Sequence, residues 1–226
     1  MFTRFAIYFC PEPETQLAQF GTHWLGWNLD SGKPANHPEV SGFDIAAVTE
    51  RPRKYGFHGT MKAPFRLAHG QSLDALKNAA DDIAVNIKAF NIPDLHVSRT
   101  GKFLAVTEAM PCQPLRDLAA HVVEAFEPFR APLTDSDLER RRKSNLSAAQ
   151  DALLVKWGYP YVFDEFQFHL TLSGPLDPVT QDLVAQEAER LLRPILDTPQ
   201  PCRSFSICAE REAGSFIRLS RHLLRT

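Results

Sequence analysis

A repeat in the order of its predicted elements constrains this chain more than any other feature. From His58 the sequence reads as strand, helix, and two strands joined by a tight turn; from His169 it reads the same way. Residues 55–62 have strand character and end at Pro64. Residues 72–90 form an amphipathic helix with Ser72 at its N-cap, and 94–99 and 102–108 are strands about Gly101. In the second half, residues 165–173 alternate in polarity over their whole length, 179–196 read as a helix, and 203–210 and 214–221 pair about Gly214. The halves share little sequence, yet both leading strands carry His-x-Thr, as His58-Gly59-Thr60 and His169-Leu170-Thr171. This order predicts an α+β fold: one bilobal domain over 1–226, with repeat units at approximately 55–110 and 165–222. Each pseudo-symmetric lobe holds a mostly antiparallel sheet flanked by helices, with an active-site cleft between the lobes.

The remaining segments fill in this scheme. Residues 2–10 read as a strand, and 14–27 as a helix carrying Leu17, Phe20, Trp24 and Trp27 at helical spacing. Residues 28–54, rich in Gly, Pro, Asn and charge, read as a long loop with at most one short helical turn. Residues 113–128 read as a helix. Residues 134–157 read as one or two more, carrying Glu139-Arg140-Arg141-Arg142-Lys143, which is read as a solvated helix face. Lys and Arg number 25 against 27 Asp and Glu, a net charge of −2, which argues against an extended nucleic-acid surface. The apolar run Phe5–Cys10 is far too short to span a membrane, so a cytoplasmic protein without a membrane partner is expected. The four cysteines have no CxxC spacing, and nothing in the sequence signals an oligomeric state.

The chemistry rests on the two tripeptides. Side chains at i and i+2 of a strand share a face, so His58 projects with Thr60 and His169 with Thr171. If the two strands meet at the lobe junction, two imidazoles and two hydroxyls converge. One neutral imidazole can take a proton from water, and one protonated imidazole can return a proton to a leaving alkoxide. The threonine hydroxyls can donate to phosphate oxygens. Lys62, two beyond Thr60, is expected on the same face as a phosphate-neutralising cation. Ser173 holds the matching place in the second half and Gln167 flanks His169; Tyr55 and Arg130 are looser substrate-binding candidates. No HxxxH, HExxH or HxD pattern occurs, so no metal and no cofactor is expected.

These residues resemble the two-histidine phosphoesterase superfamily, whose members, including the LigT-like RNA 2′,3′-cyclic phosphodiesterases, carry two His-x-Thr/Ser motifs in a bilobal fold. Further segments, among them Tyr55-Gly56-Phe57-His58, Lys62-Ala63-Pro64-Phe65, Phe129-Arg130-Ala131-Pro132-Leu133 and Trp157-Gly158-Tyr159-Pro160-Tyr161, are similar to an uncharacterised branch from bacterial phosphonate-utilisation operons. The resemblance implies a metal-independent phosphoesterase acting on a small phosphorylated substrate: a phosphorylated sugar or a cyclic phosphate. An RNA-end cyclic phosphodiesterase, for which Tyr159, Tyr161 and the Arg140–Lys143 run could serve, and a non-catalytic module that binds a phosphorylated ligand stay open as alternatives.

Overall fold

Period-two alternation along the first strand sets the two faces of the molecule. In the computed structural model, which describes residues 2–226, strand β1 (Phe2–Phe9) turns Phe5, Ile7 and Phe9 into the main core. Ala6 and Tyr8 point the other way, into a smaller cluster with Cys10, Leu29, Cys208 and Phe216. Helix α1 (Gln16–Leu25) follows, capped by Thr15. A short hairpin, β2 (Trp27–Asn28) with β3 (Lys33–Pro34), leads to α2 (Ile45–Arg53). The first repeat unit comprises β4 (Gly59–Phe65), α3 (Leu73–Ala84), β5 (Phe90–Ile92), β6 (Leu95–Thr100) and β7 (Phe103–Glu108). Helices α4 (Gln113–Ala125), α5 (Asp135–Arg142) and α6 (Ala148–Trp157) lead to the second unit. It repeats the order with β8 (His169–Thr171), α7 (Pro178–Leu196), β9 (Gln200–Cys202), β10 (Ser204–Arg211) and β11 (Phe216–Leu223).

Seven strands form one antiparallel sheet in the order β11-β10-β1-β4-β8-β7-β6, and the two lobes meet at the β4–β8 pair. The lobes are built by exchange. The hairpin β10–β11 of the second unit extends the β4 side, and the hairpin β6–β7 of the first extends the β8 side. A separate β5–β9 pair links the two units again. The main core gathers side chains from α1, α2, α3, α4 and α7 onto one face of the sheet. No residue of α5 or α6 belongs to that core; α5 instead borders the opposite face, where Asp137, Arg140 and Arg141 line a cleft.

Three local expectations change. Residues 28–54 are not a plain loop: Asp44 accepts from the backbone N–H of Ala46 and Ala47 and starts α2 inside the Gly- and Pro-rich stretch. β4 begins at Gly59 rather than at residue 55, and Pro64 lies within it. Register shifts there leave positions without ladder bonds, which a residue lacking N–H tolerates. The long alternating stretch 165–173 keeps only His169–Thr171 as strand, because Phe163–Glu165 closes into a 3₁₀ turn. Residues 134–157, read as one or two helices, form two, each opened by a capping box: Thr134 with Asp137, and Ser147 with Gln150.

Candidate active site

The site grows from one register. Gly59 pairs with Leu170, so in antiparallel order His58 lies opposite Thr171 and Thr60 opposite His169. The Leu170 side chain belongs to the helix-packed face, toward which a side chain at Gly59 would also point; those of the four motif residues face the cleft. This cleft, about 600 Å³, is lined by His58, Thr60, His169 and Thr171 together with Tyr8, Tyr55 and a group of cations.

Both imidazoles are held alike. His58 Nδ1 lies 2.8 Å from the carbonyl of Gly56, and His169 Nδ1 lies 2.9 Å from that of Gln167. A carbonyl only accepts, so each Nδ1 carries a hydrogen, and in each neutral ring Nε2 is left as the free base. His58 Nε2 sits 3.2 Å from Thr60 Oγ1. The rings differ in surroundings. Tyr8, itself buried, stacks on His58 with centroids 3.7 Å apart and planes 26° apart. Burial lowers the His58 pKa to about 4; the Gly56 carbonyl opposes this, and His169 adds a further lowering. His58 is therefore neutral at pH 7.

Of the substrate-binding candidates, Tyr55 lines the cleft, its ring 6.3 Å from that of His58. Lys62 does not. Tyr8 pairs with Thr60 and Ile7 with Lys62, so Met61 is an extra residue that turns Lys62 to the other face. Lys62 is 3% exposed, and its amine donates to the carbonyl of Val123 (2.9 Å) and to Glu127 Oε2 (2.8 Å). Ser173 is buried and committed to backbone: it accepts from Leu104 N–H and donates to the Gly174 carbonyl. Gln167 borders a separate pocket with Glu108 and Arg116, and only its carbonyl serves the site. Arg130 is clamped on Glu127 and on the carbonyls of Ala131 and Lys156, away from the cleft.

Sequence reasoning missed several of the cleft residues. Tyr8 was legible as a strand residue only. Arg4, Lys54 and Arg66 stand singly in the sequence, and the cleft gathers them with Arg140, Arg141 and Tyr159. The run 139–143 is thus split: Arg140 and Arg141 border the cleft, whereas Arg142 pairs with Asp151 on the outer surface. Among the described residues no group of three or more His, Cys, Asp or Glu side chains is placed to hold a metal ion, and no helix is long and apolar enough to cross a membrane.

Solved structures share this architecture over their full length. E. coli LigT complexed with 3′-AMP superposes with a TM-score of 0.51 at 14% identity, covering 100% of both chains. A protein described as a phosphoesterase gives 0.51 at 13% identity, again over 100% of both. The fold is that of the two-histidine phosphoesterases. Within it, residues 60–217 match a family described as "Protein of unknown function (DUF1045)", and the chain belongs to that family. Two longer relatives are named ribose 1,5-bisphosphate phosphokinase PhnN. The protein from Janthinobacterium sp. (strain Marseille) is 36% identical over 185 residues, 80% of this chain and 41% of that protein. The one from Laribacter hongkongensis (strain HLHK9) is 30% identical over 218 residues, 96% of this chain and 51% of that protein. The chain spans about half, or less, of these relatives, and its sequence has no GxxxxGK[ST] phosphate-binding loop.

Proposed function

We propose that this chain works as one bilobal catalytic domain: a metal-independent phosphoesterase that hydrolyses a small cyclic phosphate. The observation that carries this reading is the mutual arrangement at β4–β8, in which each histidine lies opposite the other motif's threonine and both rings, held at Nδ1 by a backbone carbonyl, turn Nε2 to the cleft, that of His58 beside the Thr60 hydroxyl. A phosphate seated between them meets a base, an acid and two hydroxyl donors. His58, neutral at pH 7, takes the proton of a water molecule as its oxygen bonds to phosphorus. The P–O bond to the leaving oxygen breaks, and His169 delivers a proton to that alkoxide. The products are a phosphate monoester and a free hydroxyl, and the protons balance across the pair. The reading extends to a cytoplasmic setting and to a phosphorylated sugar of phosphonate metabolism. The second of these fits relatives that carry a bisphosphate sugar in their name.

The test is a panel of cyclic phosphates, from nucleoside 2′,3′-cyclic monophosphates to furanose cyclic phosphates, assayed with a chelator present. Turnover of at least one at an unchanged rate with chelator supports the proposal. Tight binding without turnover makes the chain a phosphate-binding module, and turnover that stops with chelator and returns with zinc or manganese overturns the metal-independent mechanism.

A further inference from the structure

The cleft has two arms of opposite character. On one side of the histidines lie Pro52, Gly56, Phe103 and Pro175, with Arg51 the one charged residue bordering that pocket of about 350 Å³. On the other side lie five cations: Arg4, Lys54, Arg66, Arg140 and Arg141. Two carboxylates answer them. Glu210 takes Arg4 through two hydrogen bonds of 2.6 and 2.8 Å, and Asp137 bridges Arg66 (2.6 Å) and Arg140 (2.8 Å). Asp137 is thereby held well below the usual carboxylate range, chiefly by Arg66, so it stays charged and committed.

Arg141 has no such partner. It makes no ion pair among the described residues, its guanidinium carbon stands 5.2 Å over the Tyr159 ring, and its buried Nε has no hydrogen-bond acceptor. Lys54 likewise makes no ion pair among the described residues; its amine lies 4.7 Å over Tyr55. A buried guanidinium N–H without an acceptor is a costly state that an anionic ligand relieves. Here the donor stands in the wall of the very cleft that holds the histidines. The catalytic phosphate itself is already served by two imidazoles and two hydroxyls.

Resting on the phosphoesterase reading, we infer that the substrate carries a second phosphate group, bound by Arg141 with Lys54 and Arg140 in the cationic arm while the first lies between the histidines. Arg141 has the planar fork that suits a phosphate, and Tyr159 stacks beneath it to hold the fork in place. The substrate class is a small cyclic phosphate with a phosphate on another hydroxyl, and the product is a bisphosphate.

The experiment compares kcat/KM for a furanose cyclic phosphate with a free primary hydroxyl and for the same compound phosphorylated there. The wild type should favour the second by tenfold or more, the scale of one charge-assisted hydrogen bond. Arg141→Met should lose at least ten times more on the doubly phosphorylated compound than on the singly phosphorylated one, and Arg141→Lys should recover part of that loss. Calorimetry with the matching sugar bisphosphate and monophosphate gives a readout that needs no turnover. Equal Kd values for these two products in the wild type overturn the inference, even where hydrolysis is found. A bisphosphate preference that Arg141→Met removes, in a protein that hydrolyses neither cyclic compound, supports the anion subsite and overturns the phosphoesterase reading. If only an oligoribonucleotide ending in a 2′,3′-cyclic phosphate gains from Arg141, the arm binds an RNA chain phosphate and the small-molecule assignment fails.

Discussion

Gly59 packs directly against the ring of Phe168, and this contact explains why the two tripeptides differ at their middle position. A Cβ at residue 59 would lie 2.4 Å from Phe168 Cε2. The matching place in the second strand is Leu170, which is fully buried in the main core. The first half needs a residue without a side chain because the aromatic ring of the second half already occupies that volume, and the close approach keeps β4 and β8 in register.

Gly59→Ala should therefore be harmful although alanine is small. Neither a ring carbon nor a central strand can retreat freely, and overpacking of this kind costs about 1–3 kcal/mol. Melting temperature and kcat/KM should fall together, and Phe168→Leu added to Gly59→Ala should restore part of both. A Gly59→Ala protein with wild-type stability and turnover would show that the contact does not hold the register.

His58→Ala and His169→Ala should each lower kcat by about 10²-fold or more, the lower end of what one proton-transfer group supplies. Thr60→Val and Thr171→Val each remove one donor to a charged oxygen, worth about 1.5–3 kcal/mol, or roughly 10–100-fold at 1.4 kcal/mol per decade. All four should keep the wild-type circular dichroism spectrum, because the side chains face the cleft. Near-normal turnover in either folded histidine variant would end the two-histidine mechanism.

The acid limb of the pH–kcat/KM profile should report a group titrating near pH 4 in the free protein, where burial puts His58. Its folded pKa lies below the ordinary 6.5, so between these two values the unfolded chain binds more protons than the native one. Stability should then decline as pH falls from about 6.5 to about 4, by roughly 2–3 kcal/mol from this group, and gain nothing further from it below that window. Urea titrations at pH 7 and pH 5 on wild type and His58→Ala check the sign: the variant should show the shallower loss.

Lys62 and Glu127 give an asymmetric pair. Glu127→Ala leaves a buried ammonium without its counter-charge and should cost about 3–5 kcal/mol. In Lys62→Met the carboxylate keeps Arg130, so the change should be far milder, and kcat/KM should stay within a few-fold of wild type. Thermal melts and initial rates decide this. A large selective loss of turnover in Lys62→Met would return the lysine to the cleft.

What was legible in the sequence follows period and local chemistry. The βαββ order, the N-cap at Ser72 and the hairpin at Gly101 are short-range signals, and the structure carries all three. Lys62 was misplaced because period two fails at a bulge, and the extra residue, Met61, shows only in the pairing of β4 with β1. The cationic arm stayed hidden for a similar reason. Arg4, Lys54 and Arg66 come from three separate segments, and only the folded sheet and α5 bring them beside Arg140 and Arg141. Helix α2 was within reach, since Asp44 precedes a run of helix formers, but proline and glycine on either side obscured it.

The exchange of hairpins between the lobes also bears on how the chain reaches its native state. β1 and β4 are among the first strands to be synthesised, yet β1 pairs with Phe2 opposite Arg211 and Phe5 opposite Ala209, contacts separated by most of the sequence. Closing such loops must precede any gain from the pairing, so folding is expected to be slow for a domain of this size. Until β10 and β11 emerge from the ribosome, β1 has one edge unpaired and the β4 side of the cleft lacks half its sheet. A nascent chain stalled before residue 204 would thus leave β1 as an open strand edge and lack the core side chains Phe205, Ile207 and Ala209, a species that calls for chaperone protection and cannot assemble the two-lobed cleft.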